Sequence, residues 1–85
     1  MEYIIVAFRS RAHTIKFYEF LRHNGVPAEI VNTPKEAGVG CGLSVKVLKE
    51  RLQTIKIALS RTELNSFAGI FKQERFGGKS IVRSI

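Results

Sequence analysis

Apolar residues recur along this chain with two periods, one typical of strands and one typical of helices. A continuous apolar run at 3–8 predicts a strand buried on both sides, and alternation at 43–47 predicts a half-buried strand. Shorter apolar stretches predict two further strands, at 28–31 and 67–73. These segments supply the strands of the predicted fold.

Helical spacing occupies two of the intervals between these strands. In residues 11–24, Thr14, Phe17 and Leu21 fall on one stripe, which predicts a helix buried along that side. Residues 48–61 show the same spacing of leucine and isoleucine and predict a second helix. The order of elements along the chain is therefore β-α-β-β-α-β.

This order predicts an α+β domain, a ferredoxin-like βαββαβ sandwich whose four-stranded antiparallel sheet carries two helices on one face. The predicted domain covers residues 1–76, and Gly77-Gly78 interrupts the chain before a C-terminal tail, 77–85. The expected sheet order is 4-1-3-2. The first strand is apolar on both faces, so its second face needs a cover, either a homodimer mate or the tail.

The charge of the chain indicates what kind of partner it attracts. Its 14 Lys+Arg against 7 Asp+Glu give a net charge of +7, which favours anions such as nucleic acid, an acidic partner or a small anionic substrate. Sheets of this topology bind RNA through aromatic side chains on the central strands, and residues 43–47 contain none. Nucleic-acid binding is therefore the less favoured alternative, together with a regulatory interaction module.

Several other classes of protein fit the sequence poorly. No apolar run approaches the roughly 18–20 residues that span a bilayer, so no membrane partner is expected. The start of the chain lacks a basic segment typical of export signals, and one cysteine cannot form an internal disulfide, which favours the cytoplasm. The two histidines and the cysteine lack metal-ligand spacing, so neither a metal nor a cofactor is expected.

The candidate chemistry centres on Cys41, which lies between two glycines. The 4-1-3-2 order brings the start of the third strand, and with it Cys41, beside the turn that opens the first helix. A helix N-terminus and nearby cations stabilise a thiolate over a thiol. Cys41 is thus the predicted reacting group, and these residues are the predicted stabilisers of its negative charge or of a bound anion: Arg9, Ser10, Arg11, His13, Lys35, Gly40 and Gly42. A purely structural cysteine is the alternative.

Three short motifs in fixed order carry a resemblance to a known family: Phe8-Arg9-Ser10, Thr33-Pro34-Lys35 and Cys41-Gly42-Leu43. Over about residues 4–73 the chain resembles the selenium/sulfur carrier protein-like family of small bacterial proteins. The resemblance implies that Cys41 holds a persulfide or selenide for transfer between donor and acceptor proteins. It favours a carrier or accessory protein over a stand-alone enzyme.

Overall fold

A computed structural model describes residues 2–85, and in this part of the chain five strands form one antiparallel sheet with two α-helices. The strands are β1 (Glu2–Phe8), β2 (Glu29–Asn32), β3 (Leu43–Leu48), β4 (Phe67–Phe76) and β5 (Lys79–Ser84). The helices are α1 (Arg11–His23) and α2 (Leu52–Thr62). Short 3₁₀ turns at Lys35–Ala37 and Lys49–Arg51 precede β3 and α2. The sheet order is β2-β3-β1-β4-β5.

The main core lies between the sheet and both helices. On β1, the side chains of Ile4, Val6 and Phe8 face the helices and are almost completely buried. They pack with Phe17 of α1, whose ring centroid lies 5.3 Å from that of Phe8, and with Ile55 of α2. Both helices therefore cover the same face of the sheet, as the spacing of apolar residues predicts.

The other face of β1 is also buried within the chain. Ile5 and Ala7 are 0% exposed, and they cluster with Phe71 of β4. Val82 of β5 and Ala37 of the first 3₁₀ turn pack against this cluster. The C-terminal segment thus supplies part of the expected cover, and self-association through this face stays a prediction.

The α+β class, the antiparallel sheet and the order of the first four strands agree with the sequence prediction. The prediction of four strands is wrong, because most of the predicted tail, 77–85, forms a fifth strand, β5. Gly77 and Gly78 adopt φ values of 48° and 86° and connect Phe76 to Lys79. Two successive left-handed residues suit the tight turns of β-hairpins, so these glycines join β4 to β5. The ferredoxin-like form in its four-stranded detail is not confirmed.

The second helix begins later than its apolar spacing predicts. Leu48 is the last residue of β3 and is 46% exposed, so it belongs to the strand and not to the buried stripe of α2. The 3₁₀ turn Lys49–Arg51 follows, and regular helix begins at Leu52. This shift leaves the site described below unchanged, because that site lies at the opposite end of β3.

Candidate functional site

The backbone holds Cys41 at the end of β1. The Cys41 N–H donates to the Phe8 carbonyl at 3.0 Å, and the Thr33 N–H donates to the Gly42 carbonyl at 2.9 Å, closing the loop between β2 and β3. Gly40 has φ +94°, and a Cβ at this position would lie 3.1 Å from the Phe8 carbonyl oxygen. Only glycine combines this conformation with so close an approach of two backbones. The loop is therefore fixed against β1 immediately before the cysteine.

The first turn of α1 meets the sulfur from the other side. Ser10 is the N-cap, and its Oγ accepts a hydrogen bond from the His13 N–H at 3.2 Å. Thr14, one residue further, is fully buried, and its Oγ1 lies 3.6 Å from the Cys41 Sγ. The predicted meeting of the Cys41 loop with the start of the first helix is thus present, and Thr14 makes the contact.

The surroundings of the sulfur favour its charged form. Burial raises the pKa of the Cys41 thiol, but backbone hydrogen bonds at Leu43 and at Cys41 itself, the Thr14 hydroxyl and the positive charge of Arg11 together outweigh burial. The pKa of Cys41 therefore lies below the ordinary value for a cysteine. The residue is partly exposed, so a lowered pKa and partial access to solvent occur at the same cysteine.

The remaining cationic candidates on α1 and its preceding turn make other contacts. The Arg9 guanidinium is exposed and donates to the Phe67 carbonyl at 3.4 Å. The His13 Nδ1 lies 2.6 Å from the Ser66 Oγ. Both side chains thus attach the start of α1 to the start of β4, and of the predicted cations only Arg11 is among the causes that lower the pKa of Cys41.

Lys35 lines an open depression of about 250 Å³ beside the Cys41 loop. Its lining consists of these residues: Thr33, Pro34, Lys35, Gly38, Val39, Gly40 and Gly42. Cys41 is not in this lining, although both of its neighbours are. Lys35, Gly40 and Gly42 therefore share one surface, whereas the sulfur faces Thr14.

Sequence reasoning missed two polar residues of this site, Thr14 and Ser66. The sequence pattern places Thr14 on the buried stripe of the helix, and it is indeed buried. Its Oγ1 lies 3.2 Å from the Ser10 carbonyl oxygen, 3.4 Å from the Leu43 carbonyl oxygen and 3.6 Å from the Cys41 Sγ, so its single hydrogen is available to one of these three at a time. A buried hydroxyl requires a partner, so a threonine within a buried stripe near a helix start was the available signal. Nothing in the sequence pattern distinguishes Ser66.

Within residues 2–85, no group of three or more His, Cys, Asp or Glu side chains is arranged to hold a metal ion. None of the helices in that range is both long enough and apolar enough to cross a bilayer.

Comparison with known families identifies the family of this chain. Residues 2–71 match the family described as Putative Se/S carrier protein-like. The chain belongs to this family. The match covers β1 to the first half of β4, including Cys41 and the start of α1, and it confirms the resemblance seen in the sequence motifs. No curated protein and no solved structure gives a match. Strand β5 lies beyond the matched residues.

Proposed function

We propose that this protein carries sulfur or selenium on Cys41, accepting it from a donor protein and passing it to an acceptor. One observation carries the proposal. Cys41 is partly exposed, its Sγ lies 3.6 Å from a hydroxyl in the first turn of α1, and its pKa is lowered. Membership in the family agrees with this role.

Loading is a thiol–persulfide exchange. The Cys41 thiolate attacks the outer sulfur of a persulfide on the donor protein. A sulfur–sulfur bond forms to Cys41 while the corresponding bond on the donor breaks, and the donor cysteine leaves as a thiolate that takes a proton from solvent. No electrons are gained or lost overall. With selenium as the outer atom, a sulfur–selenium bond forms to Cys41 while the sulfur–selenium bond on the donor breaks.

Unloading reverses these roles. An acceptor thiolate attacks the outer atom, and the Cys41 thiolate is the leaving group. A leaving thiol of lower pKa departs faster, so the features that favour the Cys41 thiolate assist both steps. Cys41 is the only cysteine of the chain, so no second thiol is available to form an internal disulfide and discharge the persulfide. We place this reaction in the cytoplasm, whose reducing conditions keep a thiol available.

The test is intact-protein mass spectrometry after incubation with a cysteine desulfurase and free cysteine. We expect the wild-type chain to gain the mass of one sulfur atom and Cys41→Ala to gain none. A chain that combines Cys41→Ala with Ser60→Cys is the matched control, because it moves the thiol to an exposed position on α2. Slow loading of this control supports a dedicated site. Equal loading of both thiols, or no adduct on the wild type, contradicts the proposal.

The structure does not favour nucleic-acid binding as a second function. That alternative depends on an open sheet face, and Ile5 and Ala7 on the face away from the helices are fully buried. Side chains from β4, β5 and the Lys35–Ala37 turn pack around them.

A further inference from the structure

The β4–β5 hairpin exposes a free strand edge. Among the residues that the structure describes, 2–85, strand β5 ends the sheet and its one strand partner is β4. The Ile85 N–H donates to the Ile70 carbonyl at 3.0 Å. This bond determines which residues of β5 direct their backbone groups toward β4. Because hydrogen bonding alternates along an antiparallel strand, Ile81 and Arg83 also turn their backbone groups toward β4. Ser80, Val82 and Ser84 therefore turn theirs toward the open edge.

The side chains along this edge are basic and apolar in alternation. Lys79, Ile81 and Arg83 lie on one face of β5, because they pair in register with alternate residues of β4. Ile81 is 39% exposed, and Phe76, which pairs with Lys79, is 57% exposed. Lysine alone is a common protection of strand edges against aggregation. Large exposed apolar side chains beside it are not protective and indicate a contact surface.

The charges on β5 decide between possible occupants. The strand contains two cations and no acid, in a chain of net charge +7. Antiparallel pairing of two β5 strands about Ile81 would place Lys79 of each copy opposite Arg83 of the other, and pairing about Val82 would place Arg83 opposite Ile81, so neither register gives a cation an acidic partner. Like charges directly opposite each other destabilise a strand pair, whereas opposite charges stabilise it. An acidic strand is therefore a better complement to this edge than a second copy of β5.

We infer that the free edge of β5 binds an extended acidic segment of a partner protein as an additional strand. The complementary segment carries an acid opposite Lys79, an apolar residue opposite Ile81 and an acid opposite Arg83. Its backbone bonds to the outward groups of Ser80 and Val82. The edge lies outside the residues matched by the family, and the Lys35–Ala37 turn of the Cys41 loop packs beside β5. The inference concerns the hairpin alone and does not depend on sulfur transfer by Cys41.

The test uses a short capped peptide in which Glu, Val and Glu alternate with Thr, and a control peptide with Lys in place of Glu. Binding is followed by nuclear magnetic resonance titration of the full chain. We expect the acidic peptide to bind, to perturb the amides of residues 79–84, and to weaken as salt rises. The lysine peptide is expected not to bind. Arg83→Glu is expected to weaken binding of the acidic peptide about tenfold at low salt.

A matched pair of variants tests the role of the backbone. Ser80→Pro removes one outward N–H without removing a hydrogen bond to β4, and Ser80→Ala loses the same hydroxyl but keeps that N–H. We expect Ser80→Pro to bind the acidic peptide roughly fivefold more weakly than Ser80→Ala. Retained amide protection of Ile81 in both variants shows that the hairpin is intact, and Arg83→Glu provides an independent test if it is not.

Three results would overturn the inference. The first is equal binding of the acidic peptide to Ser80→Pro and Ser80→Ala with an intact hairpin. The second is preferential binding of a single-stranded RNA oligonucleotide to the same amides. The third is a dimer in sedimentation that Ser80→Pro dissociates, since a second copy would then occupy the edge.

Discussion

The two ends of β1 both stabilise a negative charge, but by different means. At the first end, Glu2 forms ion pairs with Lys49 at 2.5 Å and Lys72 at 3.0 Å, and Lys72 also pairs with Glu74 at 3.2 Å. Hydrogen bonds from Lys49 and then Lys72 lower the pKa of Glu2 to about 2. The carboxylate is thereby paired with two ammonium groups.

At the other end, the sulfur of Cys41 has weaker and more distant support. A hydroxyl 3.6 Å away, backbone hydrogen bonding and the charge of Arg11 lower its pKa, and within residues 2–85 the ion pairs lie at the Glu2 end. An anion held this way keeps its access to another reactant. The comparison therefore contrasts a carboxylate held in ion pairs with a partly exposed thiol, which is what the proposed exchange requires.

Backbone geometry at the Cys41 end gives the largest expected effect. Gly40→Ala forces a Cβ to 3.1 Å from the Phe8 carbonyl oxygen in a left-handed conformation, and we expect it to cost about 2–3 kcal/mol of unfolding free energy. Gly42→Ala has the same φ of +94° but open space around its Cβ, and about 1 kcal/mol is expected. Urea denaturation measures both. Equal losses would show that the approach of Gly40 to β1 does not matter.

Removal of the Thr14 hydroxyl tests the support of the sulfur directly. Thr14→Val keeps the shape of the buried side chain but removes a hydroxyl that lowers the pKa of Cys41, and circular dichroism checks that the fold is kept. The pKa of the thiol is expected to rise and alkylation by iodoacetamide at neutral pH to slow roughly threefold. Thr14→Ser keeps a hydroxyl and serves as the control. An unchanged alkylation rate in Thr14→Val would show that the Thr14 hydroxyl does not stabilise the Cys41 thiolate.

Charge near the sulfur is expected to matter less than this hydroxyl. Arg11→Gln should slow alkylation by less than about twofold, and added salt should reduce the difference. Arg9→Gln is the matched control, because the Arg9 guanidinium donates to the Phe67 carbonyl. A larger effect from Arg9 than from Arg11 would contradict the placement of charge around Cys41.

The smallest expected effect concerns the stability of the Glu2 end as pH falls. The pKa of Glu2 is lowered from 4.5 to about 2, so its ion pairs stabilise the fold above pH 4.5 and are lost as the pH falls toward 2. Glu2→Gln should lack this part of the acid-induced loss. The side chains are exposed, so the difference in thermal midpoint between the variants is expected to be small at neutral pH and to vanish in acid. A difference in thermal midpoint that grows as the pH falls would contradict this prediction.

The parts of the fold that were predictable follow from strong apolar patterns. The apolar run of β1 and the stripe of α1 are long enough to determine type and position, and they led to the order of the first four strands. Strand β5 was missed because a Gly-Gly pair between charged segments resembles the end of a folded domain. The alternation of Lys79, Ile81 and Arg83 beyond it was the evidence for a hairpin.

The site was predictable as a location but not in its contacts. Sheet order alone brings Cys41 to the start of α1, and the structure agrees through Thr14. Which side chains then turn toward the sulfur depends on packing with residues remote in sequence. His13 contacts Ser66, and Arg9 contacts Phe67. The sequence around Cys41 does not predict either contact.

The most direct test of the central claim is the pKa of Cys41, measured from the ultraviolet absorbance of its thiolate as pH is raised. The single cysteine makes the signal unambiguous once the tyrosine contribution is removed by subtraction of Cys41→Ala. We predict a pKa below that of an unstructured peptide containing the same Gly-Cys-Gly sequence, and an increase in Thr14→Val. A pKa equal to or above that of the peptide would contradict a site built to stabilise sulfur as an anion.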